Sequence, residues 1–398
     1  MNPTWIEIDA GALSHNINML KDALNQNQNR KGNNPFPSQL GVVLKANAYG
    51  HGLWEVYRSI YTKVDAVYLT DPKDAKELYD KCHQNQVVFK PCWVLGWVDS
   101  QWFSLLASLE IGFVVSDFSQ LIGFLNSVTH ATKPPKILIH LDTGLGREGF
   151  LPSQVSQLLS FLENSQHQSQ FQLSGWMSHF ANVEDVTDQA YALQQLKSFE
   201  EMLSQLPVRD SHCLHMAATA ATMLLAESHQ SVVRCGIGLY GYWPSVETKL
   251  SYQLNRSRLQ MDQTFKPVLS WYVRAQLFKT LPEGSYVGYG CTHRCEKETT
   301  IALLPVGYFD GYPRLCTQKA YVLFQGKRCP VLGRIMMNHM IVDVSHVDTP
   351  CVTSLFCLIG HQGTECISAN ELARWSESIS YEILARLGSH IPRLVKKS

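Results

Sequence analysis

The sequence has no excess of charge of either sign. Its 398 residues include 34 basic and 34 acidic side chains, which cancel to a formal net charge of zero. Charged residues make up 17% of the chain, below the ~25% of an average soluble domain. We therefore predict no basic surface for nucleic acid or anionic lipid. With 45% hydrophobic residues, the composition is typical of a folded globular protein.

Long apolar runs and patterned cysteines are also missing. No run of about 18 apolar residues occurs, and the first ten residues include acidic side chains and no apolar core of a signal peptide. The eleven cysteines form no C-x2-C pair. The nearest spacing, Cys291 to Cys295, lacks a downstream His pair for zinc. We expect a cytoplasmic protein with reduced thiols, no membrane partner and no metal site.

Short apolar segments with β-branched or aromatic residues alternate with helical stretches over the first 250 residues. A helix is predicted over 188–206 from the 3.6-residue spacing of Leu193, Leu196 and Phe199. Another begins at Asp71, an N-cap followed by proline. No G-x-G-x-x-G follows the first strand, which disfavours a doubly wound nucleotide-binding sheet. A (β/α)8 barrel is predicted, with strands at 41–45, 66–69, 92–95, 112–115, 137–141, 173–178, 213–217 and 232–236.

After about residue 255 the pattern becomes alternating and β-rich, which predicts a separate, mostly-β domain. We expect the barrel over 11–252 and the β domain over 253–398, together with 1–10. A polar loop is predicted over 25–37 and a short helix over 380–387. The strand-containing segments of the β domain are 268–281, 299–308, 320–324, 328–343 and 352–359.

A lysine ends the first predicted barrel strand. Reactive groups of such barrels lie at the C-terminal ends of the strands, so Lys45 would face the barrel mouth as a Schiff-base candidate. A lone lysine at a strand end is more often simply solvated. The loops after the seventh and eighth strands, 217–220 and 234–238, are rich in small residues suited to phosphate. A lysine that can form a Schiff base and loops that can hold a phosphate group together favour pyridoxal 5'-phosphate as the cofactor.

The segment 43–52, VLKANAYGHG, resembles the pyridoxal-phosphate lysine signature of bacterial alanine racemases. The resemblance continues through 142–147, 178–181, 234–241, 287–290, 304–314 and 381–384, nearly the whole chain. It implies an isomerase that interconverts L- and D-alanine and supplies D-alanine for peptidoglycan. It also implies a homodimer whose active sites are shared, each built from the barrel of one subunit and the β domain of the other.

The resemblance assigns two catalytic bases. Lys45 resembles the Schiff-base lysine and first base, and Tyr289, from the partner subunit, resembles the second. Racemisation needs both because the proton leaves one face of the α-carbon and returns to the other. A tyrosine needs a nearby positive charge to act as a base near neutral pH, because that charge lowers its pKa. The family pattern supplies it as a line from Tyr289 to His179 to Arg234.

The remaining site residues are also assigned by the resemblance. Arg234 would face the pyridine nitrogen, and Arg147 would contact the phenolic oxygen of the cofactor and the substrate carboxylate. Met337 would meet the substrate carboxylate through its backbone N–H, and Tyr308 would narrow the entrance. The phosphate would be held by Tyr49, Thr219, Gly236, Ile237 and Tyr381.

Two positions depart from the family pattern. His140 stands where many members have a lysine that becomes carbamylated and braces the arginine matching Arg147, and a histidine cannot form that carbamate. We hypothesise a chloride, an ordered water or another carboxylate in its place. Asn338 stands where an aspartate is usual, which could ease carboxylate binding or admit a larger side chain.

Three alternatives to an alanine racemase follow from these features. A racemase of broader range, acting on serine or basic amino acids, would use the same site. A non-catalytic pyridoxal-phosphate carrier would keep Lys45 but would need neither a β domain nor Tyr289. A decarboxylating relative would need an acidic partner for the pyridine nitrogen, which Arg234 cannot provide.

Overall fold

The computed structural model describes residues 3–28, 38–127, 133–164, 167, 170–185, 188–254, 264–347 and 354–396. Contacts divide the chain into two compact units. The barrel unit comprises 12–46 and 57–266, and the β unit comprises 1–11, 47–56 and 267–398. The domain limits expected from the sequence, 11–252 and 253–398 with 1–10, stay predictions.

Among its described residues, the barrel unit contains eight strands, and every hydrogen-bonded pair of neighbours is parallel. Numbering strands from β1 (Thr4–Asp9) of the β unit, they are β2 (Gln39–Val43), β3 (Ala66–Leu69), β4 (Cys92–Val94), β5 (Gly112–Val115), β6 (Lys136–His140), β7 (Gln172–Met177), β8 (Cys213–His215) and β9 (Val232–Cys235). Their order is β8-β7-β6-β5-β4-β3-β2-β9.

Two backbone hydrogen bonds bridge the remaining gap between β8 and β9. Ser231 N–H donates to Leu214 at 3.0 Å, and Arg234 N–H donates to Ala217 at 2.8 Å. The ring is thus nearly closed. The predicted (β/α)8 fold is confirmed, and each predicted strand begins and ends within two residues of an observed one.

Burial explains why these segments form barrel strands. All four residues of β5 and of β9 are buried, as expected where side chains of parallel strands face the barrel interior on one side and the helices on the other. The N-cap of the helix Pro72–Gln84 is Asp71, whose side chain accepts from Lys73 N–H at 2.8 Å. The α-helices among the described residues are Ala10–Gln28, Lys45–Tyr49, Leu53–Ile60, Pro72–Gln84, Ser100–Ser108, Phe118–Ser127, Val155–Glu163, Ala190–Leu203, Thr219–Leu224, Val246–Leu254, Ala369–Trp375 and Ser380–Ala385.

The β unit is built on one large sheet, which confirms the predicted mostly-β C-terminal part. Its described strands besides β1 are β10 (Leu269–Arg274), β11 (Leu277–Leu281), β12 (Tyr286–Val287), β13 (His293–Arg294), β14 (Thr299–Leu304), β15 (Tyr321–Phe324), β16 (Lys327–Leu332), β17 (Met340–Asp343), β18 (Leu355–Gln362), β19 (Glu365–Ile367) and β20 (Arg393–Lys396). The strand order in the large sheet is β11-β14-β17-β16-β15-β18-β10-β1-β20, with β19 paired to β18, and β12 and β13 form a separate hairpin.

Three local predictions differ from the structure. The polar loop expected over 25–37 is wrong for 25–28, which continue the helix Ala10–Gln28, and 29–37 lie outside the described residues. The last predicted strand begins at 355 rather than 352, and 352–353 are likewise outside the described residues. Leu193 is 50% exposed, because the buried face of its helix passes through Ala192, Gln195 and Leu196. In the part of the chain that is described, no helix is long and apolar enough to cross a membrane.

Candidate active site

Lys45 directly follows the first barrel strand, at the start of an unusual backbone turn. The four residues after it have φ angles of 53°, 55°, 53° and 51°, the left-handed region, which costs an L-residue roughly 1–2 kcal/mol each. Local bonds hold the turn: Asn47 Oδ1 accepts from Leu53 N–H at 2.8 Å, and Asn47 O accepts from Gly52 N–H at 3.0 Å. Strain of this kind persists where the surroundings over-determine it, which is typical of functional sites.

The ammonium group of Lys45 is in an unfavourable place for a charge. Burial lowers its pKa below the usual range of a lysine, the positive charge of Arg147 lowers it further, and Glu148 acts in the opposite direction. A lysine with a lowered pKa releases its proton more readily and is more nucleophilic near neutral pH. Lys45 is therefore suited to act as a nucleophile and as a base.

Arg234 projects from β9 into a buried polar cluster and is 3% exposed. Its Nη1 lies within hydrogen-bond reach of Nδ1 of His215, and its Nη2 donates to Ser178 O at 2.8 Å. Nη2 also lies 3.3 Å from Nδ1 of His179. Since a guanidinium has no acceptor, both histidines must accept at Nδ1 and keep their proton on Nε2. Two of the three predicted members of the line, His179 and Arg234, are thus in contact.

Both histidines are neutral at physiological pH. Burial first, and then the charges of Arg234 and Arg147, lower the pKa of His179 to about 3. The pKa of His215 lies well below its usual value for the same first two reasons, burial and Arg234. Arg234 itself keeps its proton, although burial lowers its pKa to about 10. The cluster therefore holds one fixed cation and two neutral rings.

A loop after β6 carries Arg147, and buried bonds define its shape. Asp142 Oδ1 accepts from Gly144 N–H at 2.9 Å and from Gly146 N–H at 3.2 Å. Thr143 Oγ1 and Ser178 Oγ are 2.8 Å apart, which joins this loop to the end of β7. The side chain of Arg147 is 56% exposed, with Nη2 at 3.6 Å from Glu148 Oε2.

The loops after β8 and β9 form a close cradle of small residues. Thr219 begins the helix Thr219–Leu224, and its Oγ1 accepts from Gly238 N–H at 3.3 Å. Gly236 precedes the 3-10 turn Ile237–Tyr240. A Cβ added at Gly238 would lie 2.7 Å from Thr219 Cγ2, so only glycine permits this approach. Hydroxyl, backbone N–H groups and helix starts are the donors that a phosphate group requires, so the residues present fit a phosphorylated cofactor.

The β unit contains the other predicted site residues. The rings of Tyr49 and Tyr381 are 6.2 Å apart between centroids. Tyr289 is 71% exposed and stands between Gly288 and Gly290, whose φ angles are 72° and 74°. A cavity of about 520 Å³ is lined by Tyr289, Tyr308, Arg314, Arg334, Ile335, Met336, Met337, Asn338 and His339. It contains two arginines and no carboxylate.

The predicted site residues thus divide between the two units. Lys45, Arg147, His179, Thr219, Arg234, Gly236 and Ile237 belong to the barrel unit, and Tyr49, Tyr289, Tyr308, Met337 and Tyr381 to the β unit. The step from Tyr289 to His179 stays a prediction. Among the described residues, no group of three or more His, Cys, Asp or Glu side chains could hold a metal ion.

Sequence reasoning missed three supporting residues. His215 contacts Arg234, and Glu148 lies beside Arg147. Gln195 is fully buried, accepts from Ala181 N–H at 2.9 Å and donates to His179 O at 3.3 Å. A glutamine on the apolar face of the helix Ala190–Leu203 was the available signal, since buried polar groups are almost always hydrogen-bonded.

The nearly closed barrel is followed by a β domain. Its first strand ends at a lysine of lowered pKa, and the loops after its seventh and eighth strands fit a phosphate group. These are features of the class of barrel enzymes that use a phosphorylated cofactor. Residues 8–244 match the family model for the N-terminal domain of alanine racemase. Residues 268–395 match the model for its C-terminal domain. The chain belongs to the alanine racemase family.

Individual relatives agree with this assignment. The alanine racemase of Leptospira interrogans is 32% identical over 396 residues, covering 98% of this chain and 95% of the relative. That of Methylacidiphilum infernorum is 31% identical over 392 residues, covering 98% and 92%.

Solved structures of the family share the fold. The alanine racemase of Streptomyces lavendulae is 27% identical with a TM-score of 0.86, covering 100% of this chain and 98% of that one. The Bacillus anthracis enzyme, solved with bound L-Ala-P, is 27% identical with a TM-score of 0.87, covering 100% and 96%. The structure from Bartonella henselae, with covalently bound pyridoxal phosphate, is 23% identical with a TM-score of 0.80, covers 100% of both chains and shows the shared fold.

Proposed function

We propose that this chain interconverts L- and D-alanine with pyridoxal 5'-phosphate as cofactor, and so supplies D-alanine for peptidoglycan in the cytoplasm. The observation that carries the proposal is Lys45, a partly buried amine of lowered pKa at the end of the first barrel strand. Family membership supports the choice of alanine as the substrate.

The residues of the two units fit the cofactor. Lys45 would hold it through Nζ, Arg234 would face the ring nitrogen, and Arg147 would contact its phenolic oxygen. Its phosphate would be held by Thr219, Gly236, Ile237, Tyr49 and Tyr381. When bound, pyridoxal phosphate supplies an electron-withdrawing ring that weakens the α-C–H bond of the attached amino acid.

Two bases on opposite faces of the α-carbon would perform the racemisation. Nζ of Lys45 is one, because its lowered pKa makes the neutral amine accessible. Oη of Tyr289 is the other. We propose that Tyr289 comes from the partner subunit of a homodimer, where its 71% exposed side chain would become enclosed. The same assembly would bring Met337 to the substrate carboxylate and Tyr308 to the entrance.

His179 would connect Tyr289 to Arg234. The neutral ring accepts from Arg234 at Nδ1 and so keeps a proton on Nε2. That N–H can stabilise a tyrosinate through a hydrogen bond, with the guanidinium behind it. Arg234 would keep the ring nitrogen of the cofactor unprotonated, because a guanidinium does not release its proton. Decarboxylation and transamination would thereby be disfavoured.

Proton NMR in deuterated water tests the proposal. Loss of the α-proton signal of L-alanine, followed by formation of the D form, is the expected result with the purified, cofactor-loaded protein. L-serine and L-lysine, measured in parallel, test a racemase of broader range. The cavity around Asn338 is lined by no carboxylate, so it would accept the carboxylate of any of the three amino acids, and the parallel assays decide among them. If none of the three amino acids exchanges its α-proton, the alanine racemase and the broader racemase are both refuted, and the non-catalytic pyridoxal-phosphate carrier remains.

A further inference from the structure

The charged site residues predicted in the barrel unit are all basic. Lys45, Arg147 and Arg234 are the cations, and the nearby histidines do not share the charge. Burial first, and then the charges of Arg234 and Arg147, lower the pKa of His140 to about 3. A guanidinium in such surroundings needs an anionic partner to fix its orientation, because its planar fork binds carboxylates most favourably.

Two carboxylates lie in the loop that carries Arg147, and they have different surroundings. Asp142 is 8% exposed, and its Oδ1 already accepts two backbone N–H groups of the loop, those of Gly144 and Gly146. Glu148 follows Arg147 directly, and its Oε2 lies 3.6 Å from Arg147 Nη2. Glu148 is therefore the carboxylate that faces the guanidinium.

The same oxygen of Glu148 lies 3.8 Å from Nδ1 of His140. Nδ1 is buried and has no hydrogen-bond partner among the described residues. A neutral imidazole with its proton on Nδ1 is a donor, and a buried donor is almost always paired. One carboxylate thus stands between a cation on one side and an unpaired ring nitrogen on the other.

We propose that Glu148 is a positioning residue for Arg147, and that the neutral ring of His140 orients the Glu148 carboxylate. This inference rests on the proposed function, in which Arg147 contacts cofactor and substrate. The carboxylate holds the guanidinium toward the Lys45 end of the barrel and offsets part of its charge there. Removal of the Glu148 charge leaves the Arg147 guanidinium without its carboxylate and removes the negative charge that offsets it beside Lys45.

Glu148→Gln tests this role with two readouts. The first is the KM for alanine, which should rise about three- to fivefold with a smaller change in kcat, the size expected for a partly exposed ion pair. Glu148→Asp should recover part of the loss. The control is Glu201→Gln, because Glu201 also forms an exposed ion pair at 3.6 Å, with Lys197. The control should leave KM unchanged.

The second readout needs neither cofactor nor activity. Lys45 of the cofactor-free protein is labelled with trace acetic anhydride between pH 6 and 10, and the product is quantified by mass spectrometry. In Glu148→Gln the labelling curve should move to lower pH, with about two- to fivefold faster labelling at pH 7.5. In Glu201→Gln it should overlay the wild type. Unchanged Lys45 labelling in Glu148→Gln, together with an unchanged KM, would overturn the inference.

The dependence of KM on chloride distinguishes Glu148 from a bound anion as the partner of Arg147. The wild type should have the same KM in chloride-free buffer and in 200 mM chloride, while Glu148→Gln should improve as chloride or formate is added. A wild type that depends on chloride, with Glu148→Gln unaffected, would also overturn the inference. If the wild type racemises nothing, the proposed function fails, and Lys45 labelling still decides whether Glu148 acts on the site.

Discussion

The two units hold their site residues in opposite ways. In the barrel unit, Arg234 is 3% exposed and fixed by His215, Ser178 and His179. In the β unit, Tyr289 is 71% exposed and Met337 is 55% exposed. Preorganised groups need buried bonds, whereas groups that complete a neighbour's site remain accessible until that neighbour binds. Under the proposed function, the barrel half is built within one chain and the β half is completed by assembly.

Removal of the barrel nucleophile has the largest expected effect. Lys45→Ala should abolish racemisation and prevent covalent retention of the cofactor, because no other predicted site residue of the barrel supplies an amine. The measurement is cofactor absorbance after gel filtration together with the NMR assay. Lys63→Ala, at an exposed lysine of the same unit, should behave as the wild type. Retained activity in Lys45→Ala would show that the barrel half is assigned wrongly.

Removal of the exposed base, Tyr289, should have the second largest effect on racemisation. Tyr289→Phe should slow racemisation by about 10²–10⁴-fold, the usual contribution of a general acid or base. Exchange of the α-proton of one enantiomer with retention should persist, because Lys45 still serves one face. Tyr286→Phe is the control, since Tyr286 is also exposed, at 58%. Equal slowing of exchange for both enantiomers would contradict a one-face role for Tyr289.

Acid should destabilise the barrel unit, because three of its buried histidines are neutral in the folded protein. His140, His179 and His215 titrate near pH 6.5 when unfolded, and burial with Arg234 lowers their pKa in the folded state. The unfolded chain therefore binds more protons below pH 6.5. The free energy of unfolding should fall by about 1.4 kcal/mol per pH unit for each histidine.

Urea midpoints at pH 7.5, 6.5, 5.5 and 5.0 measure this effect. Stability should be flat above pH 7 and decline below 6.5, and His140→Asn should reduce the slope by about one proton. A slope that begins only below pH 4 would mean that these rings are protonated in the folded protein.

Removal of the hydrogen bonds that Gln195 makes beside His179 in the barrel unit should have the smallest effect on catalysis. Gln195→Leu leaves Ala181 N–H without its acceptor, which should cost about 1–3 kcal/mol of stability. Racemisation should slow less than tenfold, because His179 keeps its bond to Arg234. Urea unfolding and initial rates measure both. Gln205→Leu, at an exposed position, should change stability by less than about 0.5 kcal/mol, and an equal loss in both variants would remove the special role of Gln195.

The sequence predicts the barrel well because its strands are short, apolar and rich in β-branched residues. All eight are found within two residues of their predicted ends. The face of the helix Ala190–Leu203 is less predictable: hydrophobic spacing includes Leu193, whereas the structure buries Gln195 instead. Gln195 can be buried because its amide oxygen accepts from Ala181 N–H and its amide nitrogen donates to His179 O.

The support of the site is not visible in the sequence. His215 is 19 residues from Arg234 and meets it only because β8 and β9 lie side by side. The left-handed turn after Lys45 contains two alanines and a tyrosine beside Asn47, and of these residue types only asparagine is enriched at positive φ angles. Contacts between strands and strain imposed by neighbours arise from tertiary structure, so local patterns cannot reveal them.

The most direct test of the shared site is complementation between two inactive variants. Co-expressed Lys45→Ala and Tyr289→Phe chains form a mixed dimer in which one site has both defects and the other has none, if each site takes its two bases from different subunits. With random pairing, about a quarter of wild-type activity should return. Activity no higher than that of either variant alone would contradict the account, because it would place both bases of each site in one chain.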